Sequence, residues 1–260
     1  MQDIDMEKFY LIGLGIKGEK SLTLEAIEIL KKTKKIFLES YTNYLEKGIK
    51  KKIEKVIKKK IFILKREEVE NEKIILEELK KNQVALLVSG DPLIATTHLS
   101  LVLSAKKIGS EVEIIFNSSI LNAAIGLSGL QAYKFGKICT IPYWREKYSP
   151  TSFLDVIEAN QSIGAHTICL LDLDTKLGPM SIKKAFEIIF KAQEVAAKKI
   201  IDENTKIIVL SALGTKRQKI FAGKIKELKK DLKGPNTIII PSKMHFLEEE
   251  YFQKIQKIQK

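Results

Sequence analysis

Cysteine is scarce in this sequence. Cys139 and Cys169 are the two in 260 residues, and each sits inside an apolar run without CxxC spacing. A disulfide framework of the kind that staples small secreted domains is therefore excluded, and buried free thiols in a reducing compartment are expected. Long apolar runs are lacking too: no stretch approaches the roughly 18–20 residues that span a bilayer. The opening Met1-Gln2-Asp3-Ile4-Asp5-Met6-Glu7 is acidic and has neither the cationic start nor the apolar middle of a signal peptide. A cytoplasmic location is the simplest expectation. With 3 histidines and no Cys/His cluster at ligand spacing, no metal is expected.

What the chain has in excess is lysine. Lys and Arg number 45 against 32 Asp and Glu, a formal charge of +13. Most of this is spread over presumptive helix surfaces, but Lys47–Lys60 (KGIKKKIEKVIKKK) is a dense block. Within it Ile49, Ile53, Val56 and Ile57 recur at helical spacing, which predicts an amphipathic helix with a basic, solvated face. No aromatic residues interleave with the lysines and no DNA-binding motif accompanies them, so direct nucleic-acid binding is not expected. Steering toward an acidic protein partner is the alternative use of that face. An apolar content of 45% excludes wholesale disorder, and the length suffices for two domains.

The first half alternates apolar strands with amphipathic helices. Strands are predicted at Phe9–Leu14, Lys35–Leu38, Ile61–Leu64, Val84–Val88 and Glu111–Phe116, and helices at Leu22–Thr33, Ile49–Lys58, Val69–Lys80 and Thr97–Ile108. Gly109 is well placed as a helix stop. This alternation implies a mainly parallel sheet with helices on both faces. In the second half, strands near Lys137–Ile141, Thr167–Leu173, Lys206–Leu210, Lys219–Ala222 and Thr237–Ile240 sometimes follow one another directly, implying a mixed sheet. Its helices are expected at Ser152–Asn160, at Ser181–Lys199 and after Phe246. The expected organisation is two α/β domains, residues 1–117 and 118–260.

The most informative segment is Gly90-Asp91-Pro92-Leu93-Ile94-Ala95-Thr96-Thr97-His98, directly after the apolar run Val84–Val88. A buried strand ending in a turn-prone polar segment is where open α/β sheets place ligands, although an ordinary strand–helix turn reads the same way locally. The first strand ends in Gly13-Leu14-Gly15-Ile16-Lys17-Gly18. This is not the GxGxxG fingerprint and makes a poor pyrophosphate cradle, but it is compatible with an adenosine ligand that carries no phosphate.

Together with NSSI (Asn117–Ile120), GLQAYKFG (Gly129–Gly136), TIPYW (Thr140–Trp144), SPTSF (Ser149–Phe153), HTICLLDL (His166–Leu173) and PSKMHFLEEEY (Pro241–Tyr251), these segments resemble the diphthine synthases. That family belongs to the tetrapyrrole-methylase-like (class III) S-adenosylmethionine methyltransferases. GDP alone is shared across the class; the extension ATTH, GLQxYKFG and MHFxExEY are more particular. The resemblance runs from Tyr10 to Tyr251. It implies two α/β domains with the cofactor in the cleft between them, usually in a homodimer, and methyl transfer from S-adenosylmethionine to the aminocarboxypropyl-histidine of translation elongation factor 2.

Carried onto this chain, the cofactor-binding positions implied are Ile16, Asp91, Ile94, Ser119, Ile120, Leu171, Leu213 and His245. Asp91 would offset a cationic ligand, Ser119 would bond a carboxylate or ribose, and the aliphatic residues would wall adenine and the methionine chain. No residue is singled out as catalytic. His98 reads as a hydrogen-bonding residue at a helix start, His166 as structural, and His245 equally as ligand-orienting or structural. Glu248, Glu249 and Glu250 read as a solvated helix start. Relatives often carry an arginine within the segment that here reads Ser211-Ala212-Leu213-Gly214. Two rival readings are a corrinoid or sirohaem methyltransferase on the same fold, and a non-catalytic basic protein that binds ribosome or RNA through Lys47–Lys60.

Overall fold

A computed structural model describes residues 7–41, 48–174, 176–229, 231–232 and 234–258. The chain divides into two compact units, Met1–Ile120 and Leu121–Lys260.

In the first unit five strands, β1 (Phe9–Gly13), β2 (Lys35–Glu39), β3 (Phe62–Leu64), β4 (Val84–Val88) and β5 (Val112–Ile115), form a sheet in the order β3-β2-β4-β1-β5. Every pairing is parallel, as the sequence alternation required. The helices are α1 (Leu24–Lys32), α2 (Ile49–Ile57), α3 (Arg66–Glu70), α4 (Lys73–Leu79) and α5 (Leu99–Lys107). Successive side chains along a strand point to opposite faces, and β4 shows both. Ala85 and Leu87 pack with the α1 and α2 residues Ala26, Leu30, Ile53 and Ile57, while Val84, Leu86 and Val88 pack with Leu79, Leu101, Val102 and Ala105 of α4 and α5.

Local chemistry sets several helix ends. Thr23 caps α1, its hydroxyl accepting the Ala26 N–H at 3.0 Å. Beyond α5, Gly109 takes φ +88°, and the N–H groups of Gly109 and Ser110 return to the carbonyls of Lys106 and Ala105, the Schellman arrangement that the glycine stop implied. The single helix expected over Val69–Lys80 is broken. Glu72 adopts a left-handed φ of +60° and the Asn71 side chain accepts the Lys73 N–H at 3.2 Å, so a turn separates α3 from α4. In α2, Ile49, Ile53 and Ile57 are buried and lysines occupy the other face as expected, but Val56, counted with the apolar residues, is 38% exposed; Lys47 lies outside the described residues.

The second unit holds α6 (Ile120–Ser128) across its start, then β6 (Cys139–Ile141), α7 (Ser152–Ser162), β7 (Thr167–Leu171), β8 (Leu173–Asp174), β9 (Gly178–Pro179), α8 (Ile182–Val195), β10 (Lys206–Ser211), β11 (Lys219–Lys224), β12 (Asn236–Ile240) and α9 (Phe246–Ile258). The main sheet runs β11-β10-β12-β7-β6 and is mixed: only β6 and β7 are parallel. The strand expected over Thr167–Leu173 ends at Leu171, and Leu173–Asp174 instead pairs with β9 in a small hairpin. Trp144 packs against the core and donates from Nε1 to the Pro150 carbonyl at 3.1 Å.

Cys139 and Cys169 face each other across β6 and β7 with Sγ atoms 3.5 Å apart, and both are buried. The neighbouring Cys139 and burial together hold the Cys169 thiol well above its ordinary pKa. Because the thiolate is the reactive form, the native protein is expected to give no colour with Ellman's reagent at neutral pH, and both thiols should titrate once it is unfolded.

Candidate functional site

The order of the first sheet locates a crevice. From β1 the chain crosses to β2 on one side, and from β4 it crosses to β5 on the other. The adjacent carboxyl ends of β1 and β4 are thus the switch point where open parallel sheets bind ligands.

Three segments converge there. Gly15 and Gly90 bridge β1 to β4, exchanging N–H···O bonds of 3.0 and 3.1 Å, with φ of +63° and +78°. A Cβ on Gly13 would stand 2.7 Å from the Gly90 carbonyl oxygen, and one on Gly15 would stand 2.5 Å from the Ser21 Cβ, so both positions in the β1 turn require glycine for close approach. Asn117, just past β5, stitches the third segment in. Its Nδ2 donates to the carbonyls of Gly13 (3.0 Å) and Ser21 (2.8 Å), while its backbone N–H donates to Asp91 Oδ2 at 3.2 Å.

Asp91 is buried. Its Oδ1 accepts the N–H groups of Leu93 (2.9 Å) and Ile94 (3.2 Å), so the carboxylate holds its own turn as well as the β5 exit. Of the other implied positions in this unit, Ile16 is half-buried and its N–H donates to Ser118 Oγ at 3.4 Å. Ser119 is buried and Ile120 half-buried. Ile94 is 43% exposed, an aliphatic side chain at the mouth of a turn with little packing of its own.

Behind this turn lies a polar pair that sequence reasoning missed. His98 and Glu39 are each 1% exposed. Nδ1 of His98 is 3.0 Å from the Pro92 carbonyl oxygen, and Nε2 is 3.0 Å from Glu39 Oε2. The second contact is an ion-pair distance rather than an aligned hydrogen bond. Burial raises the Glu39 carboxyl pKa against the opposing pull of His98 and the Ser89 N–H, and burial followed by the charge of Glu39 raises the nearby Tyr41 phenol. His98 makes no side-chain cap to α5.

In the second unit, Leu171 ends β7 and Leu213 follows β10. These strands both run antiparallel to β12, so the two leucines lie at the same edge of the sheet. Both are buried. Ala212, beside Leu213, has φ +49°, which a glycine would adopt at less cost. His245 caps α9 beyond the opposite end of β12, where Ile240 pairs with Thr167, and is exposed.

The segment around His245 is fixed by Glu248, which is buried and not the solvated residue that was expected. Its carboxylate accepts the N–H groups of Gln131 (2.7 Å) and His245 (2.6 Å), the Lys134 ammonium (2.6 Å) and His166 Nε2 (3.2 Å). Burial alone would raise this carboxyl, but the four donors bring it down to about 2. His166 accepts the Ser242 N–H on Nδ1 at 3.0 Å, so its proton resides on Nε2; burial lowers its pKa against the pull of Glu248. His166 is structural, as read. The motif GLQAYKFG thus docks onto MHFLEEEY through Glu248. Phe135 packs edge-on against His166, whereas Tyr133 is 95% exposed. The spacing of Glu248 three residues after a capping position was the one available signal.

Comparison with known proteins identifies the family. A sequence profile of the Tetrapyrrole (Corrin/Porphyrin) Methylases matches residues 8–229. A diphthine synthase of Methanococcus vannielii is 41% identical over 244 residues, covering 92% of this chain and 95% of that protein. A diphthine methyl ester synthase of Dictyostelium discoideum is 38% identical, covering 94% of this chain and 96% of its own. A crystal structure of diphthine synthase superposes with a TM-score of 0.85 at 29% identity, covering 96% of each chain. A parallel sheet with its switch point at GDPLI, a mixed second sheet, and these matches across nearly the whole length place the chain among the tetrapyrrole methylases and, within them, in the diphthine synthase family of methyltransferases.

Proposed function

We propose that the protein transfers methyl groups from S-adenosylmethionine to the aminocarboxypropyl-histidine of translation elongation factor 2, in the cytoplasm and as a homodimer. The observation that carries the cofactor reading is the switch point itself. Its glycine-lined approach bears a buried carboxylate at Asp91, a half-buried aliphatic at Ile16 and an exposed one at Ile94. These residues fit a ligand with a flat base, a cationic centre and no phosphate.

S-adenosylmethionine, when bound, supplies an electrophilic methyl group. The protein's part is alignment and exclusion of water. On the first unit Ile16, Ile94 and Ile120 would contact the base or methionine chain, Ser119 would bond a carboxylate or hydroxyl, and Asp91 would offset positive charge that a +13 protein otherwise repels; Leu171 and Leu213 are the proposed aliphatic positions of the second unit. His245, from the other end of β12, is the eighth position of the proposed set. His98 is not the acceptor of the amine proton, because both its nitrogens face inward and the side chain is 1% exposed.

The test is label transfer from methyl-tritiated S-adenosylmethionine to elongation factor 2 presented with and without its aminocarboxypropyl histidine. Label only on the modified factor is expected. Binding of the cofactor without label on either form would refute the substrate.

A further inference from the structure

We infer that His98 is a positioning residue for the cofactor turn and acts through the carbonyl of Pro92. The inference rests on the reading of Asp91 and Ile94 as cofactor-binding positions. Pro92 lies between them, and its carbonyl oxygen is gripped twice: by Thr96 Oγ1 at 2.8 Å and by His98 Nδ1 at 3.0 Å. Both donors come from the ATTH extension, where Ala95 takes a left-handed φ of +57°. A non-glycine residue in that region persists only where its surroundings hold it there. The grip of Thr96 and His98 on Pro92 is such a hold.

The atoms fix the chemistry of the clamp. A carbonyl only accepts, so the imidazole proton is on Nδ1 and Nε2 is left for Glu39. Glu39 ends β2, the strand hydrogen-bonded to β4. The imidazole therefore ties the turn after β4 to the end of the neighbouring strand, with both side chains out of water. Neither of the other roles open to a histidine fits: it caps no helix N–H, and no solvent reaches it to carry a proton away.

Two conservative variants separate this role from a general contribution to folding. His98→Gln places an amide near Nε2, keeping a polar group against Glu39 and removing the donor for Pro92. His98→Asn combined with Glu39→Gln places a donor near Nδ1 for Pro92 and neutralises the carboxylate left behind. Affinity for S-adenosylhomocysteine by calorimetry and Tm are measured on the full chain for wild type and both variants. His98→Gln is expected to bind about fivefold to tenfold more weakly with Tm close to wild type, the loss of one buried hydrogen bond. The double variant is expected to bind within about threefold of wild type even where its Tm falls, a residue of the same order as context scatter in a single contact. Undiminished binding by His98→Gln, or affinities that simply follow Tm, would overturn the role. Absence of binding by the wild type would instead overturn the cofactor reading beneath it.

Discussion

Replacing Glu248 with alanine is expected to destabilise the protein by about 3–5 kcal/mol, the usual cost of breaking a buried, multiply bonded charge by removing one partner. The carboxylate takes four donors, of which two are backbone N–H groups. Its loss removes the anchor shared by the Gln131 segment and the α9 start, and leaves Lys134 only its bond to the Lys243 carbonyl among the described contacts. Glu248→Gln should recover part of the loss, since one amide oxygen still accepts while the amide nitrogen opposes the remaining donors.

The same carboxylate sets an acid limit. Its folded pKa of about 2 lies below the ordinary 4.5, so its stabilisation is complete above pH 4.5 and is lost as pH falls through 4.5 toward 2. The shift corresponds to about 3 kcal/mol. His166 acts in the same direction at higher pH. Its folded pKa is below 6.5, so the unfolded chain binds more protons just below 6.5 and stability declines there as pH drops. Urea midpoints measured from pH 8 to pH 3 should fall in two stages, and Glu248→Gln should remove the lower one. A midpoint as acid-sensitive in Glu248→Gln as in wild type below pH 4.5 would assign that stage to other carboxylates.

Much of this fold was legible because strands and helices announce themselves locally. The alternation from Phe9 to Ile115 dictated parallel pairing, and Gly109 marked a helix end through a conformation that only its own residue type adopts cheaply. What stayed hidden depends on contacts far apart in sequence. Glu39 looked like the polar residue after a strand, whereas it is the last residue of β2, buried by His98 from a segment 59 positions later. Glu248 looked like one of three acidic residues at a helix start. Its environment comes from Gln131 and Lys134, more than a hundred residues earlier. At Glu72 the helical pattern continued through a residue whose left-handed backbone no periodicity reveals. Within the candidate site, the glycines and Asp91 were found because turn chemistry is local, and Asn117 escaped notice as a residue joining Gly13 to Ser21.

Gly15→Ala is expected to cost the protein its cofactor affinity while Gly90→Ala largely preserves it, although both glycines occupy the left-handed region. That conformation costs alanine about 1–2 kcal/mol at either position. The difference is space. A Cβ on Gly90 would find its nearest neighbour, the Ser118 carbonyl oxygen, at 3.9 Å, whereas on Gly15 it would meet Ser21 Cβ at 2.5 Å, Asn117 Oδ1 at 2.7 Å and Ser118 Oγ at 2.9 Å. None of these can withdraw freely. Asn117 is fixed by its two carbonyl acceptors and by the Ser118 N–H at 2.8 Å, and Ser21 Oγ accepts the Lys17 N–H at 3.1 Å. Overpacking here adds about 1–3 kcal/mol and pushes the β1 turn away from Asn117, which also holds Asp91. The expected result is at least a tenfold loss of S-adenosylhomocysteine affinity in Gly15→Ala, equivalent to about 1.4 kcal/mol, against about threefold or less in Gly90→Ala, where the added methyl group makes no close contact. Equal losses in the two variants would mean that backbone conformation alone governs the site. A full-affinity Gly15→Ala would move the ligand away from the switch point altogether.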